Sequence, residues 1–376
     1  MMLTEILSLL TFFAATIYFI IGILIHFGLT KKYGRTDNKP KTTVLIAARN
    51  EEKYLPACLE SLGNQTYPPD LLQIIVLNDR STDHTCQIAL DYKERFPSFE
   101  LVDIDDDQSG LKGKMNALAQ GMEYAEGEII LITDADCRVP DTWVSEMVTY
   151  FTDRVGLVGG LTVIDQPGRR FHLFDRIQTL DWFFLQAVAA GTAGINLPVT
   201  VLGNNFGFKK SVYDKIGGFS SIGFSLTEDM ALLNTIVKRT EYNIVYLLER
   251  GSMIQSMPLN NFRDFFQQRK RWLSGGIKAP VWGWVLMSAS FIAHLLIVVN
   301  LISLNFTIPV VSGLVLITGM DLSLIWRLKL KSGLAKLTRY FMPFEIFYFL
   351  YTIILAISVF IPGRIYWKER SFKKTG

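Results

Sequence analysis

At 376 residues, 49% of them hydrophobic and 19% charged, the chain is too long for one ordinary domain and too unevenly apolar for a uniform water-soluble globule. A net charge of +3, with the basic residues set beside apolar stretches, excludes the footprint of a nucleic-acid-binding protein. The three cysteines, Cys58, Cys86 and Cys137, have neither metal-ligand spacing nor a disulfide framework, which fits a reducing compartment.

Residues 3–28 are almost wholly apolar and are followed by Lys31, Lys32 and Arg35. A cleavable signal peptide would be shorter and would carry its charges in front, so 1–30 reads as a transmembrane anchor with a cytoplasmic basic flank. Residues 36–41 read as a linker. From 42 to 255, β-rich runs (43–48, 72–78, 100–104, 129–133, 156–163, 243–247) alternate with helical stretches (51–64, 82–95, 112–125, 141–151, 209–216, 228–238). That alternation predicts an α/β, Rossmann-like, mainly parallel sheet with ligands at the C-terminal strand ends, where Asp79, Asp134 and Asp136 fall.

The run 179–190 is apolar but broken by Asp181 and Gln186, and reads as a core or membrane-surface helix too short to span. Residues 256–279 predict an amphipathic interfacial helix: Phe262, Phe265, Phe266, Trp272 and Leu273 share a side at helical spacing, with basic residues around them. Segment 280–362 holds three apolar candidates, 282–302, 305–326 and 340–361. A basic stretch at 327–339 should be cytoplasmic, and the tail 363–376 is basic too. Three full crossings would put that tail outside, against the positive-inside pattern, so one candidate is open to being interfacial or re-entrant.

Six segments invite chemistry. Asp134-Ala135-Asp136 closes a buried apolar run, and residues i and i+2 of a strand point the same way, so both acids can face one cation if the chain turns there. Exposed turn acids would look alike. Ala48-Arg49-Asn50-Glu51-Glu52 and Asn78-Asp79-Arg80-Ser81-Thr82 are strand-to-helix turns that suit an anion or a ribose, or simply cap a helix. Gly110-Leu-Lys-Gly-Lys114-Met-Asn116 is not a Walker motif, because Met follows the lysine, but its lysines can neutralise phosphate. Thr227-Glu228-Asp229 opens a helix, either as a plain cap or as a catalytic acid in a pocket. Gln268, Arg271 and Trp272 stand at i, i+3 and i+4, neighbours on one helical face that equally suits membrane anchoring. There is no G-x-S-x-G elbow, no H-E-x-x-H and no dinucleotide fingerprint after the first strand.

In this order the segments resemble the membrane-bound family 2 glycosyltransferases, which include cellulose, chitin and hyaluronan synthases and ceramide glucosyltransferase. The resemblance covers 42–272 and implies a GT-A catalytic domain in the cytoplasm, flanked by N- and C-terminal transmembrane helices in a bacterial inner membrane. It implies a nucleotide-sugar donor, usually a UDP-sugar, contacted by Ala48, Arg49, Glu51, Asp79, Lys114 and Asp134. Asp134 and Asp136 would hold Mg²⁺ or Mn²⁺, Asp229 would be the general base with Glu228 beside it, and Gln268, Arg271 and Trp272 would close the site. Arg49 stands where polymer synthases often have an aromatic residue. The implied reaction is inverting, and no nucleic acid takes part.

A polymer must cross the bilayer through a channel that a few spans hardly enclose in a monomer. The expected acceptor is therefore a membrane lipid or lipid-linked glycan. The alternatives are a processive β-polysaccharide synthase, oligomeric or partnered, and an inactive membrane scaffold, against which the intact acids at 79, 134, 136 and 229 argue.

Overall fold

The computed structural model describes residues 2–165, 170–333, 335–360, 364–367 and 370–373. In chain order, helix α1 (Met2–Gly28) precedes β1 (Thr42–Ala48), α2 (Leu55–Gly63), β2 (Leu72–Asn78), α3 (Thr85–Asp91), β3 (Ser98–Asp103), α4 (Gly113–Tyr124) and β4 (Ile129–Asp134). Next come α5 (Trp143–Val148), β5 (Val155–Gly159), β6 (Thr162–Ile164), α6 (Leu173–Gly194), β7 (Asn205–Lys209), α7 (Lys210–Lys215), α8 (Gly218–Ile222), α9 (Glu228–Arg239), β8 (Asn243–Tyr246) and β9 (Ile254–Ser256). The chain closes with α10 (Phe262–Gly276), α11 (Val281–Ile302), α12 (Ile308–Ser332), α13 (Phe341–Phe360) and the hairpin β10 (Arg364–Trp367) and β11 (Arg370–Lys373). Contacts divide it into an α/β unit, Lys32–Gly168 with Thr200–Met257, and a helical unit, Met1–Lys31 with Arg169–Val199 and Pro258–Gly376.

In the α/β unit seven strands form one sheet in the order β3-β2-β1-β4-β7-β5-β8. All pair in parallel except β7, which runs antiparallel to both β4 and β5. Strands β1 and β2 lack polar alternation because the sheet is covered on both faces, and every residue of β2 is buried. One face packs Val44, Ile46, Ile74, Val76 and Leu131 against Leu55, Leu59 and Leu62 of α2 and Trp143 and Met147 of α5. Each such aliphatic contributes on the order of 1.5–3 kcal/mol of burial. The register sets the site: Ala48 is level with Asn78, and Ala47 with Asp134. The C-terminal ends of β1, β2 and β4 thus share one edge, at the point where the order turns from β1-β2-β3 to β4.

The structure departs from the sequence reading in three places here. The stretch 156–163 is two strands: the chain turns at Gly160, whose N–H donates to the Asn205 carbonyl at 2.9 Å, and β6 pairs with β9 in a separate ribbon. The Asn205–Gly207 stretch, to which the sequence reading assigns no strand, is the start of strand β7. Gly207 permits that close pairing, since a Cβ there would sit 2.7 Å from the Ile130 carbonyl. Strand β9 is too short to leave a periodicity.

Among the described residues, four helices of the helical unit are long and apolar enough to cross a membrane, Met2–Gly28, Val281–Ile302, Ile308–Ser332 and Leu337–Ser358. Polar side chains tie them together: Asn300 Nδ2 donates to Thr11 Oγ1 at 2.8 Å, Asn305 Nδ2 to Ser8 Oγ at 3.0 Å, and Tyr18 to Asp321. Helices α1 and α6 touch backbone to backbone, so that a Cβ on Gly28 would overlap the Gly191 carbonyl at 1.8 Å. The helix expected over 179–190 runs from Leu173 to Gly194, because Gln178 is satisfied by an exchange of hydrogen bonds with the Leu259 backbone, 2.9 Å each way. Strand β10 packs beside α10, which leads into α11.

Candidate active site

The first two strand-to-helix turns are zipped together. Asn50 and Arg80 both hold left-handed backbone (φ 53° and 56°), which turns each chain sharply off its strand. Asn50 N–H donates to Ser81 Oγ at 3.1 Å, Thr82 N–H to Asn50 Oδ1 at 2.9 Å, and Glu51 N–H to Thr85 Oγ1 at 2.8 Å. The Arg49 guanidinium donates to the carbonyls of Asp79 and Arg80 at 2.8 and 3.1 Å, so it braces the second turn. Asp79 is buried and pairs with Arg80 at 3.0 Å, and Arg80 also reaches Asp107 at 2.7 Å.

At the end of β4 the chain does turn. Cys137 N–H donates to the Asp134 carbonyl at 3.0 Å, which closes a tight turn with Ala135 buried inside and the carboxylates of Asp134 and Asp136 at its tip. Burial, reinforced by Asp136 and Asp134, pushes the thiols of Cys58 and Cys137 up, so neither adds charge beside these acids. Asn204 reaches over from the next loop, donating to Cys137 Sγ at 3.6 Å and accepting from Thr162 Oγ1 at 3.1 Å.

Lys114, in the first turn of α4, ties the parts together. Its ammonium donates to the Gly203 carbonyl at 2.8 Å and pairs with Asp134 Oδ1 at 2.7 Å and Glu228 Oε1 at 2.9 Å. Burial alone would lower its pKa, but the two carboxylates prevail and hold it above the usual lysine range. Glu228 is buried; Asp229 is partly exposed and lies over Gly203, where an added Cβ would be 2.8 Å from Asp229 Oδ2. The structure therefore gathers Lys114, Asp134, Glu228 and Asp229 at one strand edge, beside the turns carrying Ala48, Arg49, Glu51 and Asp79.

Residues 43–225 match the family model described as Glycosyl transferase family 2. They form a glycosyl transferase family 2 domain. Asp79, Lys114, Asp134 and Asp136 lie inside the match, with Glu228 and Asp229 just beyond it. The chain is 29% identical over 247 residues to the probable glycosyltransferase YdaM of Bacillus subtilis (63% of this chain, 55% of the relative). It is 26% identical over 252 residues to a beta-monoglucosyldiacylglycerol synthase of Nostoc sp. (66% and 51%). To a poly-beta-1,6-N-acetyl-D-glucosamine synthase of Staphylococcus epidermidis it is 25% identical over 270 residues (69% and 62%). It thus spans between 51% and 62% of the length of these relatives. Among solved structures it resembles a mannosyltransferase from Pyrobaculum calidifontis in complex with GDP-Man and Mn²⁺, with a TM-score of 0.58, 19% identity, and coverage of 91% of this chain and 96% of that one. That likeness identifies the fold of the family 2 domain as GT-A.

Gln268, Arg271 and Trp272 lie outside the family 2 domain, on α10 of the helical unit. The buried charged residue on that helix is Arg269, a neighbour the sequence reading passed over. Its Nε donates to Asp181 Oδ2 at 2.8 Å, its guanidinium lies 4.1 Å from the Trp272 ring centre, and it also donates to Gln268. Trp272 meets Trp182 edge-on at 5.6 Å. Asp181 was the available signal: a lone acid in an apolar helix needs a cationic partner. The Gly203 carbonyl left no signal, because backbone groups have no sequence identity.

Proposed function

We propose that the family 2 domain is the catalytic part of an inverting glycosyltransferase that moves a sugar from a nucleotide-diphosphate donor, a UDP-sugar, to a membrane-lipid or lipid-linked acceptor. The observation that carries this reading is the convergence of Asp134, Glu228, Asp229 and Lys114 at the C-terminal edge of the parallel strands. The match to the family and the similarity to a glucosyldiacylglycerol synthase support it.

The donor set fits a hard divalent cation, Mg²⁺ or Mn²⁺. Asp134 and Asp136 offer oxygen ligands from one turn, and among the described residues no group of three or more His, Cys, Asp or Glu completes a protein-only site. The remaining ligands would come from the diphosphate, as is usual for Mg²⁺. A cation bound there supplies Lewis-acid stabilisation of the charge that builds on the leaving diphosphate. Asp229 accepts the proton of the acceptor hydroxyl as that oxygen attacks the anomeric carbon; one displacement inverts the centre. Lys114 fixes Asp134 on one side and Glu228 on the other, which keeps the metal turn and the base-bearing helix start in register. Asp79, Arg49 and Glu51 line the nucleoside side. Gln268, Arg271 and Trp272 keep the roles that the resemblance assigns them.

The basic flanks at Lys31, Lys32 and Arg35 and at Arg327, Lys329 and Lys331 support a cytosolic placement of this domain on the inner membrane of a bacterium. Similarity to a polysaccharide synthase favours a second reading, a processive polymerase. Sizing the labelled product separates the two: one added sugar in the organic phase, or a long water-soluble polymer. The role of Asp229 is tested by Asp229→Asn, which should lower turnover by about 10²–10⁴-fold while UDP affinity stays within a few-fold. Near-wild-type turnover would remove Asp229 from the mechanism.

A further inference from the structure

We propose that the helical unit holds a phospholipid in a groove beside the C-terminal half of α12, reading the headgroup phosphate through Arg327, with His26 and Ser323 shaping the polar end beside it. The groove encloses about 430 Å³ and has a polar end, formed by His26, Ser323 and Arg327, and an apolar wall formed by Leu322, Trp326 and Leu330. Among the described residues no carboxylate lines it. The polar end is organised as well as basic. Ser323 Oγ–H donates to the Met320 carbonyl at 2.7 Å, so towards His26 it can only accept, and His26 Nε2 donates to it at 2.8 Å. That bond fixes the imidazole of α1 beside α12. The Arg327 Nε is buried and, among the described residues, has no hydrogen-bond partner. A guanidinium left in this state asks for an acceptor, and a phosphate oxygen is the acceptor its fork fits best.

Two observations select a lipid as the source of that phosphate. First, the groove sits at the basic end of its helices. Lys329 and Lys331 follow on α12, Lys31 and Lys32 follow α1, and Lys329 Nζ lies 3.9 Å from the centre of the Trp326 ring. Basic pockets between membrane helices on the cytoplasmic side bind anionic headgroups, and tryptophan marks the headgroup level. Second, the groove does not end at the phosphate. A Cβ built on Gly319, one turn deeper along α12, meets nothing within 4 Å, and the wall of Leu322 and Leu330 is apolar. Acyl chains fit that continuation; a free anion would leave it unfilled.

The test uses the full chain in neutral detergent, with lipid retention read by native mass spectrometry. The probes are dioleoylphosphatidylglycerol, dioleoylglycerol with the same chains but no phosphate, and glycerol phosphate with no chains. Phosphatidylglycerol should be retained at least tenfold more tightly than either of the others. Arg327→Gln should lower its affinity about tenfold, Arg327→Lys should restore only part of that loss, because an ammonium keeps the charge but not the fork, and Lys31→Gln, which removes one charge outside the groove, should stay within about twofold. Equal retention of dioleoylglycerol or of glycerol phosphate, an unchanged Arg327→Gln, or an equal loss in Lys31→Gln would each overturn the proposal. If Arg327→Gln does not fold, His26→Gln takes its place: a loss of threefold or more supports the site, and unchanged affinity overturns it.

Discussion

Replacing Lys114 with methionine separates two carboxylates that look equivalent in a contact diagram. Lys114 Nζ has three N–H donors and meets three acceptors, Asp134 at 2.7 Å, Gly203 at 2.8 Å and Glu228 at 2.9 Å. The Glu228 side chain is only 6% exposed, whereas that of Asp134 is 38% exposed. Losing the cation strands Glu228 as an uncompensated buried charge, which costs about 3–5 kcal/mol. Asp134 is re-solvated instead, and its share falls to about 0–1 kcal/mol. The expected result is an asymmetric cycle. Lys114→Met loses about 3–5 kcal/mol; adding Glu228→Gln recovers most of that, because the buried charge goes too, while adding Asp134→Asn recovers less than about 1 kcal/mol. Denaturant unfolding of the full chain in detergent, followed by tryptophan fluorescence, reads all four proteins. The penalty should also be flat with pH. The folded pKa of Lys114 is raised, so its stabilisation is fully present below the unfolded value of about 10.4 and is lost only as pH rises through the higher folded value. Equal recovery from Asp134→Asn and Glu228→Gln, or a Lys114→Met cost below about 1 kcal/mol, would refute the reasoning.

Gly203→Ala would place a Cβ 2.8 Å from Asp229 Oδ2 and 3.2 Å from Glu228 Oε1, so the carboxylate tips must move. Turnover should fall by roughly a hundredfold, the effect of a displacement near 1 Å, with little change in the unfolding midpoint; unchanged turnover would show that the carboxylate position does not matter. Asp136→Ala should weaken UDP binding about tenfold in the presence of Mg²⁺ or Mn²⁺, some 1.4 kcal/mol, and leave it unaltered in chelator. Calorimetry showing the same affinity with metal would count against the cation site. In the helical unit, Asp181→Asn and Arg269→Gln should each cost about 3–5 kcal/mol, while the double variant comes back to within about 1–2 kcal/mol of wild type. Simple addition of the two losses in thermal denaturation would argue that the groups are not coupled.

What the sequence disclosed about the α/β unit followed from burial on two faces. Strands β1, β2 and β4 leave mainly apolar runs, and Asp79 and Asp134, which end the runs of β2 and β4, are conspicuous because Gln73, Asn78 and Thr133 are the other polar side chains there. Strand β7 was missed for the opposite reason: Asn205-Phe-Gly-Phe-Lys209 carries an asparagine and a glycine that usually mark loops. Asn205 is nonetheless fully buried, because its amide donates to the carbonyls of Leu161 and Ser252 at 2.9 Å each and its oxygen accepts from Trp143 Nε1 at 2.9 Å. A fully satisfied side chain behaves as core, and no local pattern foretells partners from three separate segments. Arg49 is a similar case. The turn suggested a nucleotide contact, and its guanidinium is largely occupied by the carbonyls of Asp79 and Arg80, which gives it a bracing role whether or not a base packs on it.

The two units share one device that explains where sequence reading was weakest. In each, a buried cation on one helix holds an acid from a distant part of the chain: Lys114 of α4 takes Glu228 of α9, and Arg269 of α10 takes Asp181 of α6. Single charges in such places are costly, so the pairs must form together, and neither member makes sense in its own segment. Asp181 looked like a flaw in an apolar helix and Lys114 like a phosphate ligand in a flexible loop. In the folded chain Asp181 anchors the helix bearing Gln268, Arg271 and Trp272, and Lys114 joins the Asp134–Asp136 turn to the helix bearing Asp229. The residues that a motif search notices are thus held in place by partners it does not score, and substitution of those partners is the more informative probe of how the site is built.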